Sequence, residues 1–278
     1  MTVGFLKTLK LGIGAFSATL LLVSQHSFAQ ASGAPDGTDC VQQILKRGKI
    51  IAAVQTQGPP ISFVDKKGQR VGFAVDLVKK MAADMGVGLE MRDYDFRGLV
   101  PAAIAGQVDI VAADMAPTPQ RSLQLTFSDQ FFAEPVVLYA KRTKGYTDAL
   151  SLNKKGITIG LAQGSANRAV LERYFPNATI AEFGGGGPAL AQAAASGRVD
   201  AVINTLSNAR GNALSFGDTF TILKGELYVW PEAFAVRPQC THLVSWVNNW
   251  LYWQKHDGYL DKEAKYWRQS DDWRADHL

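Results

Sequence analysis

Arg121 closes the run Thr118-Pro119-Gln120-Arg121, inside a stretch from Ala102 to Phe132 that carries most of the chemistry legible in this chain. Threonine is a good helix N-cap, and proline suits the first helical turn because its missing N–H would be unpaired there anyway. The run predicts a helix opening directly after a buried strand, Val108 to Ala113. A guanidinium in such a turn adds its charge to free N–H groups and a helix dipole that already attract anions. The expected product is a small-anion site at the carboxyl end of a strand, where open α/β sheets hold their ligands. Asp114 is placed where that strand should run out.

Other reactive residues point less clearly to chemistry. Gly184 to Gly187 lacks the Lys-Ser/Thr step of a phosphate-cradling P-loop, and a flexible surface loop is the favoured reading. Asp109 and Asp200 each follow a Gly-x-Val step, where turn or helix contacts explain them better than catalysis. His26, His242, His256 and His277 are too scattered to nominate a metal site or a His-based nucleophile. No C-x-x-C redox motif or zinc-type spacing occurs, and no cofactor or metal is expected.

Lys7 and Lys10 precede an apolar run from Leu11 to Val23, and Ser27-Phe28-Ala29 supplies small residues for cleavage. Residues 1–29 therefore read as a secretory signal peptide cleaved near Ala29, since thirteen apolar residues fall short of the roughly 20 a membrane helix needs. Residues 30–39 read as a flexible leader. The exported remainder of about 249 residues suits one large domain or two lobes. Without Lys7 and Lys10 it has 27 basic and 25 acidic residues, a balance that argues against nucleic acid, as does the lack of an arginine-rich aromatic stripe. Cys40 and Cys240 are the only cysteines of an exported chain, and a disulfide between them is expected, although spacing alone cannot establish it.

Strands alternating with helices predict α/β architecture with largely parallel sheets. Strands are expected at 49–54, 89–94, 136–140, 157–161, 179–183 and 199–203, and a strand pair or bent return strand at 227–236. Helices are expected at 41–46, 76–85, 99–105, 165–175 and 188–196. The C-terminal part should be helical, with Leu243, Trp246, Val247, Trp250 and Trp253 forming a core stripe. A shift of 91 residues lays Ala102-Ala103…Gly106…Val108-Asp109…Val111 on Ala193-Ala194…Gly197…Val199-Asp200…Val202, and Asp114 on Thr205. Two lobes of like architecture would produce this echo; so would any helix, tight turn and buried strand in succession.

From about Cys40 to Trp267 the chain resembles the extracellular solute-binding proteins of family 3, the polar amino-acid type serving ABC importers. The matching pieces are Gly58-Pro59-Pro60-Ile61-Ser62-Phe63, Gly68-x-x-Val71-Gly72-Phe73-x-Val75-Asp76-Leu77, Thr118-Pro119-Gln120-Arg121 and Phe127-Ser128-Asp129. Later come Gly160-x-x-Gln163-Gly164-Ser165, Gly197-Arg198-Val199-Asp200-Ala201 and Asp257-Gly258-Tyr259-Leu260…Tyr266-Trp267. The resemblance implies a two-lobed periplasmic-binding-protein-like fold of type II, each lobe a mostly parallel sheet flanked by helices, joined by two crossovers. Lobe 1 would be residues 40–133 plus 238–278, and lobe 2 residues 134–237. Cys40 and Cys240 would share a lobe, which strengthens the disulfide. Arg121 would grip a ligand carboxylate, with Gly164 and Ser165 offering N–H and hydroxyl donors from the opposite lobe. Phe96 matches a position that lines the first-lobe pocket.

Departures from the family pattern bear on the ligand. An aromatic residue before the Pro-Pro step is replaced by Gly58, a hydroxyl five residues before the arginine by Ala116, and a second hydroxyl by Ala166. The second-lobe aspartate that holds an α-ammonium is Thr205 here. Asp114 can supply that charge from the first lobe, reading an amine-bearing ligand together with Arg121. Alternatively, Asp114 pairs with Arg121 or a local lysine and the ligand is a plain carboxylate. The resemblance implies a non-enzymatic, monomeric periplasmic receptor that hands a small polar ligand to an ABC permease. A prephenate- or arogenate-type dehydratase on the same scaffold is the alternative, although Thr205 cannot act as its carboxylic acid. A ligand-sensing receptor subunit is a third reading.

Overall fold

The computed structural model describes residues 39–55 and 58–278; the expected signal peptide and the leader before Asp39 lie outside them. Helix α1 (Cys40–Arg47) starts at Asp39, whose carboxylate accepts from the amides of Val41 and Gln42. It leads into strand β1 (Lys49–Gln55), and a small hairpin follows, β2 (Phe63–Val64) and β3 (Arg70–Val71). Helix α2 (Phe73–Asp84), β4 (Gly88–Tyr94), α3 (Phe96–Ile104) and β5 (Ile110–Ala112) complete the first βαβαβ run. A single turn, α4 (Pro119–Ser122), precedes the long strand β6 (Thr126–Lys141). The second run is β7 (Thr158–Ala162), α5 (Asn167–Tyr174), β8 (Thr179–Phe183), α6 (Gly186–Ala195) and β9 (Ala201–Thr205). Helix α7 (Leu206–Ser215), β10 (Phe220–Ile222) and β11 (Tyr228–Val236) follow, then α8 (Thr241–His256), α9 (Tyr259–Ala264), a π-helical turn (Lys265–Gln269) and α10 (Asp272–His277).

The hydrogen-bonded strand order is β4-β1-β5-β11-β6-β9-β7-β8. Its two ends repeat: β1 lies between β4 and β5, all parallel, and β7 lies between β8 and β9, all parallel. The long antiparallel strands β6 and β11 join these halves, with irregular pairing around Glu232 and Ala233. This is the two-lobed α/β architecture, with β6 and β11 as the crossovers. The return segment 227–236 is thus one bent strand.

Each half has apolar packing on both sheet faces. Ile50, Ala52 and Val54 of β1 face one cluster with α2 and α8, whereas Ile51 and Ala53 face another with α3. In the second half Val136, Leu138 and Ala140 of β6 face one cluster, and Val137 and Tyr139 the other. Alternation with both faces apolar is what a sheet covered on two sides requires.

The 91-residue echo has a physical content. Asp109 exchanges backbone bonding with Ile51 of β1, accepting the Ile51 amide on its carboxylate (2.8 Å) and donating its own amide to the Ile51 carbonyl (2.8 Å). Asp200 does the same with Thr158 of β7 at 2.9 and 2.8 Å. Each carboxylate also pairs with a cation, Arg47 in one lobe and Lys144 in the other. Both aspartates therefore splice a strand to its neighbour across the sheet, a structural role reached through long-range contacts and not through the turn or helix contacts expected.

Two expectations change. The helix opened by Thr118 is one turn long, because the β-prone sequence from Thr126 onward enters β6. The aromatic stripe of α8 is not all core: Trp250 is buried, but Trp253 is 67% exposed. Trp253 extends past the apolar face that contacts lobe 1. Cys40 and Cys240 are disulfide-bonded, with Cα atoms 5.4 Å apart, and tie α1 to the start of α8. Among the described residues no helix is long and apolar enough to cross a membrane.

Candidate functional site between the lobes

Strands from both halves run out at one cavity of about 50 Å³. Gln55 ends β1, Asp114 lies two residues beyond β5, Ala162 ends β7 and Thr205 ends β9, and all four line it. This is the carboxyl-end location that parallel sheets reserve for ligands.

Arg121 bridges the two sides. Its Nη1 donates to the Ala116 carbonyl (2.9 Å) and its Nη2 to the Gly164 carbonyl of the second lobe (3.1 Å). The guanidinium lies 5.4 Å from the centre of the Phe96 ring, within cation–π range. Thr118 supports the turn by accepting the Arg121 amide (3.3 Å). Burial pushes the Arg121 pKa down to about 10, against the pull of Asp114, so the side chain remains a cation at neutral pH. With α4 only one turn long, the charge of Arg121 itself outweighs any helix dipole.

Asp114 pairs with neither Arg121 nor a lysine. Its Oδ2 accepts from Asn208 Nδ2 across the cleft (2.5 Å), and Asn208 also donates to Thr205 Oγ1 (3.0 Å). Asp114 Oδ1 is buried with no hydrogen-bond partner. Burial is the main cause that pushes the Asp114 carboxyl upward, and Asn208 and Arg268 oppose it.

The remaining sequence candidates divide. Phe96, Ser165 and Thr205 line the cavity with Arg121 and Asp114. Gly164 and Ala116 touch it through Arg121, which their carbonyls hold. The Gly164-Ser165 step faces Arg121 with an acceptor rather than with donors. Gly164, at φ +78°, turns its carbonyl toward the guanidinium, while the Ser165 amide donates back to Ala162 (3.0 Å) and Ser165 Oγ accepts from Asn167 (3.2 Å). The α5 helix accordingly begins two residues after Ser165.

Several lining residues were not legible beforehand. Gln55, Asn208 and Trp230 lie in the wall, and so do Gly186 and Gly187, which open α6 instead of forming a mere surface loop. A Cβ on Gly187 would meet the Asn212 side chain at 2.4 Å and force it to shift, so α6 packs closely on α7 at this position. The polar run Asn204-Thr205-Leu206-Ser207-Asn208, astride the end of a buried strand, is the signal that could have found Asn208.

Beneath the cavity a buried ionic group joins the crossovers. Glu134 is on β6, Glu232 on β11, and Arg268 comes from the π-helical turn near the C-terminus. Arg268 pairs with both glutamates and stacks 4.5 Å from the Phe132 ring centre. Glu134 further accepts from the amide (3.1 Å) and hydroxyl (2.8 Å) of Ser207 in the first turn of α7. Three acids surround Arg268 here, counting Asp114 nearby, and burial pushes Glu232 up to about 8 and Asp114 upward as well. Among the described residues no cluster of three or more His, Cys, Asp or Glu side chains is arranged for a metal.

A two-lobed fold with a charged inter-lobe cavity defines a ligand-capturing protein. Residues 50–270 match the model of the bacterial extracellular solute-binding proteins, family 3, and the chain belongs to that family. It is 35% identical over 118 residues to the arginine-binding extracellular protein ArtP of Bacillus subtilis, covering 42% of this chain and 45% of ArtP. It is 25% identical over 236 residues to ABC transporter arginine-binding protein 1 of Escherichia coli, covering 79% and 90% respectively. Among solved structures it resembles an ancestral amino acid-binding protein described as a precursor of cyclohexadienyl dehydratase. The TM-score there is 0.75 and the identity 30%, over 82% of this chain and 98% of the other.

Proposed function

We propose that the protein is a periplasmic receptor that captures an amino acid or related amine-bearing carboxylate between its lobes and presents it to an ABC permease. The observation that carries this reading is Arg121 reaching across the cleft in the same cavity as an under-bonded Asp114. Arg121 would exchange the Gly164 carbonyl for a ligand carboxylate, a stronger charge-assisted and bidentate pairing. Asp114 would receive the ammonium group on the oxygen that now lacks a partner. A cation there also offsets the excess of acids around Arg268, which favours an amine over a plain carboxylate. Relatives that bind arginine support the amino-acid class. The lobes are taken as residues 40–133 plus 238–278 and residues 134–237, a division that the separate apolar clusters support. The receptor acts as a monomer and not as an enzyme.

A thermal-shift screen of amino acids, small organic acids and amines tests the reading, since a ligand at a hundred times its Kd stabilises by about 2.7 kcal/mol. Calorimetry with the best ligand should then show binding lost in Arg121→Ala. Retained affinity in that variant would remove the arginine from the site.

A second reading has one observation in its favour. A buried cleft carboxyl pushed toward its protonated form is what a general acid needs, and Asp114 has that environment. The dehydratase alternative predicts an aromatic product on incubation with prephenate or arogenate. No product is expected.

A further inference from the structure

The core absorbs only part of the aromatic stripe of α8. Trp250 is buried, Trp246 half-buried and Trp253 mostly exposed. The three stand at i, i+4 and i+7, so their indoles follow one face of the helix over about 10 Å. With Asn249 and Gln254 of the same face, and Lys80 and Asp84 from the last turns of α2, they line a groove of about 390 Å³. None of these residues lines the cavity of Arg121 and Asp114. A concavity of roughly 300–1,000 Å³ with aromatic walls and a few polar groups is the usual form of a small-molecule site.

The polar groups decide what fits. Asp84 has no charge to spare: both its oxygens accept from Lys80 (2.5 and 2.7 Å), and Oδ2 also accepts from Trp250 Nε1 (2.8 Å) and Gln254 Nε2 (3.3 Å). A cation entering the groove finds its carboxylate taken, and an anion finds its lysine taken. Gln254 Oε1 is buried with no hydrogen-bond partner, a costly state that a ligand's donor relieves. Asn249 is exposed and presents a second carboxamide, able to donate and to accept. A neutral molecule with an apolar face and hydroxyls on its rim satisfies indoles and carboxamides together. A pyranose has that shape: its C–H bonds lie on the electron-rich face of an indole while its hydroxyls point outward. We propose that this groove is a second binding site, which takes a short neutral sugar on Trp246 and Trp253 and holds its hydroxyls through Asn249 and Gln254.

Titration of the isotope-labelled protein with maltose, cellobiose and N,N′-diacetylchitobiose, followed by the indole N–H resonances, tests the proposal. At least one sugar should move the Trp246 and Trp253 resonances saturably, while Trp230 of the cleft and the buried Trp273 stay in place. Trp253→Ala should abolish the shift at Trp246. That side chain is mostly exposed, so the variant should melt as wild type does. Tyr252→Ala, exposed beside Trp253 and stacked on His256, should bind the sugar like wild type. Arg121→Ala should do the same, so a failed amino-acid reading of the cleft leaves this result intact. Resonances unmoved by all three sugars would overturn the proposal, and so would a shift that survives Trp253→Ala. Tetramethylammonium moving the same resonances more strongly than any sugar would overturn the neutral class in favour of a cation over the indole faces.

Discussion

In the ligand-binding role proposed for it, Asp114 sets recognition against stability. Burial holds its carboxyl above the ordinary range, so the folded chain retains a proton that the unfolded chain has released. The sign follows from linkage: the native state binds more protons, and stability falls as pH rises above about 4. Asp114→Asn is therefore expected to melt at higher temperature than wild type at neutral pH and to show a flatter dependence on pH. The same variant should lose the thermal shift given by amine-bearing ligands, as sites shaped for function commonly trade stability for it. Melting curves from about pH 4 to 8, with and without ligand, check both halves. A parallel pH slope in variant and wild type would assign the burial penalty elsewhere. The residue itself was legible as the acid beyond a buried strand; its partner Asn208 was not, because 94 positions separate them and only lobe closure brings them together.

At the scale of elements, the aspartates of the echo do the same work twice. Asp109 is 5% exposed and Asp200 less deeply placed, and each carries a strand amide that would otherwise lack a partner. Removing such a buried acceptor costs about 1–3 kcal/mol. Urea midpoints should therefore fall for Asp109→Ala and, by less, for Asp200→Ala. Equal midpoints for wild type and both variants would reduce the echo to coincidence of composition. Strands β1 and β7 were readable because apolar runs that follow Gly48 and Gly156 mark strands buried on two faces, whereas the edge strands β4 and β8 carry a more polar, half-buried pattern. The length of α4 was not. Thr118 and Pro119 specify how a helix starts, whereas the pairing of β6 with β9, β10 and β11 decides that it stops after one turn.

The whole molecule is closed by a chain that returns to its start. The Cys40–Cys240 bond spans 200 residues, and a loop of that length predicts a loss of about 3–5 kcal/mol for Cys40→Ser/Cys240→Ser. The variant should unfold at lower denaturant yet keep ligand affinity, since neither sulfur approaches the cavity; a loss of affinity at unchanged stability would contradict this arrangement. Arg268 makes the same return in another form, carrying the C-terminal segment to Glu134 and Glu232 on the crossovers. By itself the sequence determined the α/β class, the two-lobed fold and the family, and it named Arg121 and Asp114, which the structure places in one cavity. These rest on local patterns: residue spacing, strand composition and helix starts. Tertiary structure alone decided that Gly164 meets Arg121 with its carbonyl, and that Asn208 and Trp230 complete the wall. Those contacts join residues far apart in the chain, where burial and excluded volume choose the partner and no local preference announces it.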